Sequence, residues 1–311
     1  MALLEALRAV TAFDPPDALP PCDLVELADV LDAHGLAPLA SYQLETHRIG
    51  ARAPGWFRER LLPLYQGVVN DNVFKLMTLK AALRGVDVPV VLLDGAAYVD
   101  WLYPHLAFRP VGDLRLAVRG ADGARFAEQL AAAGFGAVAA GPGGHTATLD
   151  DGRIEIHIQE GLVRGGSDDH GLFARAEAAP AIGRTAARPS GRDALLATVA
   201  DLAGMGLYAP LLLYLDLREL LSQPGVADGA GAAEAVRLLA RDARLTRALY
   251  GATALVAHFF PSAAPRAQAI APVLSAPERA AVDAILERAS DPTRLRLLRG
   301  EQAAARVVLT P

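Results

Sequence analysis

The hydrophobic period of this 311-residue chain breaks at Gly85, and any fold it adopts has to accommodate that break. Before it, apolar residues recur every three or four positions in LLEALRAV, in CDLVELADVLDAHGL and across residues 56–84, the pattern of helices that bury one stripe. Gly85 is placed to end the last of these. After it, VPVVLL is a continuous apolar run rich in β-branched residues, which predicts a buried strand ending at Asp94-Gly95. AAYVDWLY then predicts a short helix closed by Pro104. GDLRLAV alternates with a period of two, Leu114, Leu116 and Val118 pointing one way and Asp113, Arg115 and Ala117 the other.

Further on, residues 121–133 read as a helix, with Gly134 suited to the left-handed position past its end. AVAAG and TATLDDGRIEIHIQ read as strands, the second able to fold at Asp151-Gly152 as a tight hairpin. Ile154, Ile156 and Ile158 form its buried face, and Arg153, Glu155, His157 and Gln159 the other. A stretch rich in Gly, Ala, Arg and Pro follows, then helical periodicity resumes near Arg192. These elements predict an α/β (α+β) protein: a small mixed sheet with helices packed on it, flanked by helical N- and C-terminal regions. The expected division is 1–85 helical, 86–160 an α/β core, 161–191 a loop-rich connection and 192–311 helical.

Bulk chemistry narrows the partners. A content of 52% hydrophobic and 21% charged residues is that of a globular protein, and a net charge of -5 gives no general attraction to nucleic acid. Small molecules, nucleotides, peptides or proteins are the expected partners. Cys22, the single cysteine, permits no intrachain disulfide and no thiolate zinc cluster, which fits a reducing cytoplasm. The apolar start MALLEALRAV carries Glu5 and Arg8 and reads as an amphipathic helix rather than a signal peptide. No apolar run reaches the roughly 18 to 20 residues of a membrane span.

One constellation carries chemistry. The polar faces of the two clean strands gather Asp113, Arg115, Glu155 and His157. Carboxylates on neighbouring strands suit Mg²⁺, which takes hard oxygen ligands at about 2.0 to 2.1 Å. His157 beside Glu155 has the chemistry of a general base or of a hydrogen-bonded packing histidine. Asp168-Asp169-His170 lies in a Gly-rich stretch where such residues make turns, and Asp216 on the apolar LLLYLDLREL needs a partner if buried. No His-x-x-x-His pair, hydrolase elbow or glycine-rich phosphate loop occurs.

LLDGAAYVDWLYPHLAFRPVGDLRLAV resembles the signature of the uncharacterised nucleotidyltransferases of the polymerase-β-like superfamily, in which Lys-Gly-Ala, Leu-Tyr-Pro, an Arg and Gly-Asp-x-Asp follow in that order. RIEIHI resembles the strand of the third carboxylate, LFARAEA a later helix with Arg-Ala, and PLLLYLDLRELL a helical segment carrying an Asp. The resemblance implies Mg²⁺-dependent transfer of a nucleotidyl group to a small molecule or protein. It places Gly95 at the end of the first strand, Asp113 as first metal carboxylate and Glu155 as third. Two positions depart: Asp94 stands where the pattern has Lys, and Arg115 where it has the second Asp.

A guanidinium cannot ligate a cation and repels one nearby. The formal charge of the trio is unchanged at -1, so Asp94 and Arg115 are expected to form an exchanged ion pair. Arg109 and Arg115 also have the donor fork of a phosphate or carboxylate clamp. Three functions follow as expectations: a repurposed nucleotidyltransferase fold that binds a nucleotide, small molecule or peptide; an active Mg²⁺-dependent nucleotidyltransferase; or a metal-free acid/base enzyme using His157 or Glu155 in the same pocket.

Overall fold

In the computed structural model, residues 2–136, 139–141, 144–149, 152–163, 171–295 and 301–310 are described. The N-terminal region is helical: α1 (Ala2–Thr11), α2 (Leu24–Ala33), α3 (Ala37–Thr46) and the 29-residue α4 (Gly55–Leu83). The side chain of Asp23 accepts from the amides of Val25 and Glu26, which starts α2. Helix α3 has no counterpart in the periodicity analysis. Ala37, Leu39, Ala40, Ser41, Gln43 and Leu44 are all buried, so it shows no polar face to set a period.

A seven-stranded sheet follows, in spatial order β3-β4-β5-β2-β1-β7-β6. Its strands are β1 (Val90–Leu93), β2 (Leu114–Val118), β3 (Ala139–Gly141), β4 (Gly144–Thr148), β5 (Glu155–Gln159), β6 (Glu177–Ala178) and β7 (Ala186–Arg188). β2 runs antiparallel to β1 and parallel to β5, and β1 runs parallel to β7. The sheet is therefore mixed. β6 and β7 fall in the stretch read as a loop-rich connection: strands of two and three residues are too short for alternation to register. β4 and β5 pair antiparallel as expected of the hairpin, with Gly152 at φ 72°; Asp151, like Asp168, Asp169 and His170, lies outside the described residues.

The helix expected over AAYVDWLY is a single turn, α5 (Gly95–Tyr98); beyond it the chain turns so that Tyr103 points into the core. Helix α6 (Gly123–Ala132) ends at a left-handed Gly134, φ 90°. After the short α7 (Leu172–Arg175), the C-terminal region comprises α8 (Gly191–Gly204), α9 (Leu211–Leu221), α10 (Gly229–Asp242), α11 (Thr246–Phe259), α12 (Ala264–Ile270), α13 (Ala276–Ala289) and α14 (Gln302–Leu309). α11 is its centre, packing on α8 to α10 and α12 to α14. The two helical regions meet directly: Arg8 of α1 donates to the carbonyl oxygens of Phe259 and His258, where a cation complements a helix C-terminus. Buried His34 accepts from the Leu211 amide at Nδ1, which leaves Nε2–H to donate to the Pro292 carbonyl at 2.8 Å. Among the described residues no helix is long and apolar enough to cross a membrane.

Two close contacts fix the loop that leads into β2. Asn72, buried on α4, donates to the carbonyls of Leu106 (2.7 Å) and Arg109 (2.8 Å) and accepts from the Val111 amide (2.8 Å). A Cβ on Gly95 would lie 2.2 Å from Arg109 Nη1 and 2.3 Å from the Val111 carbonyl oxygen, so only glycine lets the loop approach β1 this closely. Asn72→Ala, which strands three buried backbone groups, is expected to destabilise the protein by about 2 to 4 kcal/mol in urea unfolding. Gly95→Ala is expected to cost about 2 to 3 kcal/mol in the same measurement, because backbone as well as a side chain must move.

Candidate functional site

Register brings the chemistry-bearing residues together. Leu93 pairs with Arg115, Arg115 with His157 and His157 with Thr146, so one face of the sheet carries this row across four strands. Asp113 and Glu155, two residues back along β2 and β5, belong to the same face. The face divides into a buried half and an exposed edge.

The buried half is an ion network. Arg109, 3% exposed, donates to Asp216 on α9 from Nε and Nη2, the latter at 2.9 Å, and from Nη2 also to Asp94. Its Nη1 is held by the Pro110 carbonyl at 2.7 Å. Tyr103 donates to Asp216 at 2.5 Å, so both oxygens of this fully buried carboxylate accept. Burial pushes the Asp216 carboxyl above the usual carboxylate range, opposed by the Arg109 charge and the Tyr103 hydroxyl. Burial opposes the charge on Arg109 as well, but Asp216 and Asp94 outweigh it and hold its pKa above the ordinary arginine value. The predicted need of Asp216 for a partner is met by Arg109 and Tyr103.

Arg115 completes the network. Its Nη1 lies 3.9 Å from Asp94 Oδ2, so the expected pair approaches, but each member has a nearer partner: Arg109 for Asp94, and Asp201 of α8 for Arg115. Nη2 also donates to Gln159 Oε1 at 3.3 Å. The Asp201 and Asp94 charges keep the guanidinium more basic than usual despite desolvation. Gln159, expected on an open polar face, is 4% exposed and spends its amide on the carbonyls of Gly161 and Leu162. Asp94 itself has φ 53° and ψ -142°, a backbone conformation that costs about 1 to 3 kcal/mol in a non-glycine residue and persists where its surroundings over-determine it. Tyr98, one turn on, donates to the Ala194 carbonyl at 3.1 Å and lies 3.0 Å from Thr198 Oγ1, which anchors α5 to α8.

The exposed edge holds Asp113, Glu155 and His157. The two carboxylates are 73% and 53% exposed, and their nearest oxygens stand 3.6 and 3.9 Å from Nε2 of the more enclosed His157. Nδ1 of that ring is 3.1 Å from Thr146 Oγ1. Arg153 stacks over Phe74 of α4, 4.6 Å from its centroid, beside this edge. The donor set does not suit two-metal chemistry: a histidine stands between the two carboxylates, and the guanidinium of Arg115 lies two residues from Asp113 on β2. Among the described residues, no three His, Cys, Asp or Glu side chains are arranged to hold a metal ion.

Asp201, Asn72 and Tyr98 were not singled out in the sequence, and Tyr103 entered only as part of the Leu-Tyr-Pro element of the resemblance. Asp201 had a signal, since it interrupts the apolar run ALLATVADLAG just as Asp216 interrupts α9; Asn72 had none to set it apart from neighbouring Asn70 and Asp71. Arg175, in the LFARAEA motif, pairs in the same way with a fully buried carboxylate, Asp193, at 3.0 and 2.7 Å, while the Ser190 side chain accepts from the Asp193 amide at the start of α8.

No curated protein matches the chain, and no solved structure does. A family model described as an uncharacterised nucleotidyltransferase matches residues 20–261, which takes in the sheet, the buried network and its supporting helices. The chain therefore belongs to that family of uncharacterised nucleotidyltransferases.

Proposed function

We propose that this protein is a repurposed member of its family, a module that binds a nucleotide, small molecule or peptide without two-metal transfer chemistry. One observation carries the reading: the guanidinium of Arg115, which the resemblance sets at the second acidic position, pairs with Asp201 inside a buried network. A bound cation at Asp113 and Glu155 would face that positive charge two residues along the chain from Asp113, on β2. Arg109 is committed in the same way, to Asp216 and Asp94, so in this reading both arginines, together with Asp94 and Gly95, shape the floor of the site. The exposed edge of Asp113, His157 and Glu155 meets the ligand.

The arrangement of that edge favours a second reading over Mg²⁺-dependent nucleotidyl transfer. With Thr146 beside Nδ1 and two carboxylates facing Nε2, His157 is oriented to exchange a proton at Nε2 with a bound molecule, in metal-free acid/base chemistry.

Calorimetric titration of ATP, GTP, CTP and UTP with and without Mg²⁺ tests the proposal. Nucleotide binding whose Kd changes by less than about threefold on adding Mg²⁺ is expected. Binding that requires Mg²⁺, or release of pyrophosphate with it, would contradict the repurposed site. Asp113→Ala is expected to weaken ligand binding with little change in unfolding free energy, because this side chain is mostly exposed.

A further inference from the structure

Helix α4 leaves one face uncovered. From Glu59 to Lys80 the spacing alternates between three and four residues through Leu62, Gln66, Val69, Val73 and Leu76, the heptad period of a stripe that meets another helix. Leu62 is 38% exposed, Val73 45% and Met77, on the same face, 59%, so these side chains lie outside the chain's own core. Charge marks the two ends of the stripe. α4 carries six charged side chains, and four of them are paired: Arg58 with Glu45, Arg60 with Asp29, and Asp71 with Lys75. The two that remain, Glu59 and Lys80, are exposed, opposite in sign and without an ion-pair partner among the described residues. At 1.5 Å of rise per residue they stand about 31 Å apart along the helix axis.

We propose that this face docks a second copy of the same chain, the two α4 helices packing antiparallel across a two-fold axis midway along the stripe, at Val69 and Asn70. Such a contact is self-complementary. Glu59 of each copy comes opposite Lys80 of the other and Leu62 opposite Met77, with Val69 and Val73 at the centre. A parallel arrangement would set like charges together. Asn72 projects into the core from the same helix, so the contact braces the element that holds the Arg109 loop, and it stands whatever the exposed edge of Asp113, Glu155 and His157 binds.

Sedimentation velocity of the 311-residue chain between roughly 5 and 300 µM reads the association. One helix from each copy buries less than the roughly 800 Å² per partner of a standard interface, so a Kd of about 10 to 100 µM is expected. Glu59→Lys and Lys80→Glu each set like charges against one another at both ends, and each should raise that Kd at least about tenfold with little change in unfolding free energy, because both side chains are exposed. Mixed one to one, the two single variants are complementary again and should recover the original association to within about threefold, as should the chain carrying both exchanges. A chain that stays monomeric at roughly 300 µM, single variants that associate as the unaltered chain does, or a mixture no tighter than its components would each overturn the proposal, the first in favour of a different protein on this face.

Discussion

Arg109 is the residue the rest of the site depends on. Its guanidinium is almost wholly out of water, and a charge so placed is tolerated only when opposite charges and hydrogen bonds replace its solvation. Asp216 and Asp94 supply the charges, and the Pro110 carbonyl a further acceptor. In doing so they join the loop before β2 to the end of β1 and to α9. Much else is a condition for this contact. Gly95 has no side chain because Nη1 fills the space, Asn72 holds the carbonyl of Arg109 itself, and Asp94 accepts an unfavourable backbone angle beside the guanidinium.

The resemblance read in the sequence sets Lys, Asp and Asp where this chain has Asp94, Asp113 and Arg115. Against that pattern the formal charge of the trio is the same at -1, and its distribution differs. Asp94 and Arg115 are both drawn into pairs with residues from outside the trio. Asp113 and Glu155 remain at the surface, with His157 between them. The family membership describes the fold, and the proposed repurposing rests on the residues at the sheet face.

Much of the fold was legible because it follows from period. The break at Gly85, the continuous run of β1 and the alternation of β2 and β5 gave the sheet its centre, and Asp216 declared itself as a carboxylate on an apolar helix. What was hidden had no local signature. β6 and β7 are stabilised by joining an existing sheet rather than by their own sequences, α3 is buried over most of its length, and the partners of Arg115 and Arg109 lie 86 and 107 positions away along the chain. Pairing at such distance is a property of packing. The exchanged pair inferred between Asp94 and Arg115 had the right charges but missed Arg109 and Asp201 as the nearer partners.

The claim that Arg115 serves the fold through Asp201 is tested most directly by a double-mutant cycle in unfolding free energy, with no ligand present, using Arg115→Met and Asp201→Asn. The pair should show a coupling of about 1.5 to 3 kcal/mol, each single variant paying for the charge it leaves behind. Additive effects within about 0.5 kcal/mol, with Arg115→Met stable but impaired in ligand binding, would contradict the account and return Arg115 to the binding site.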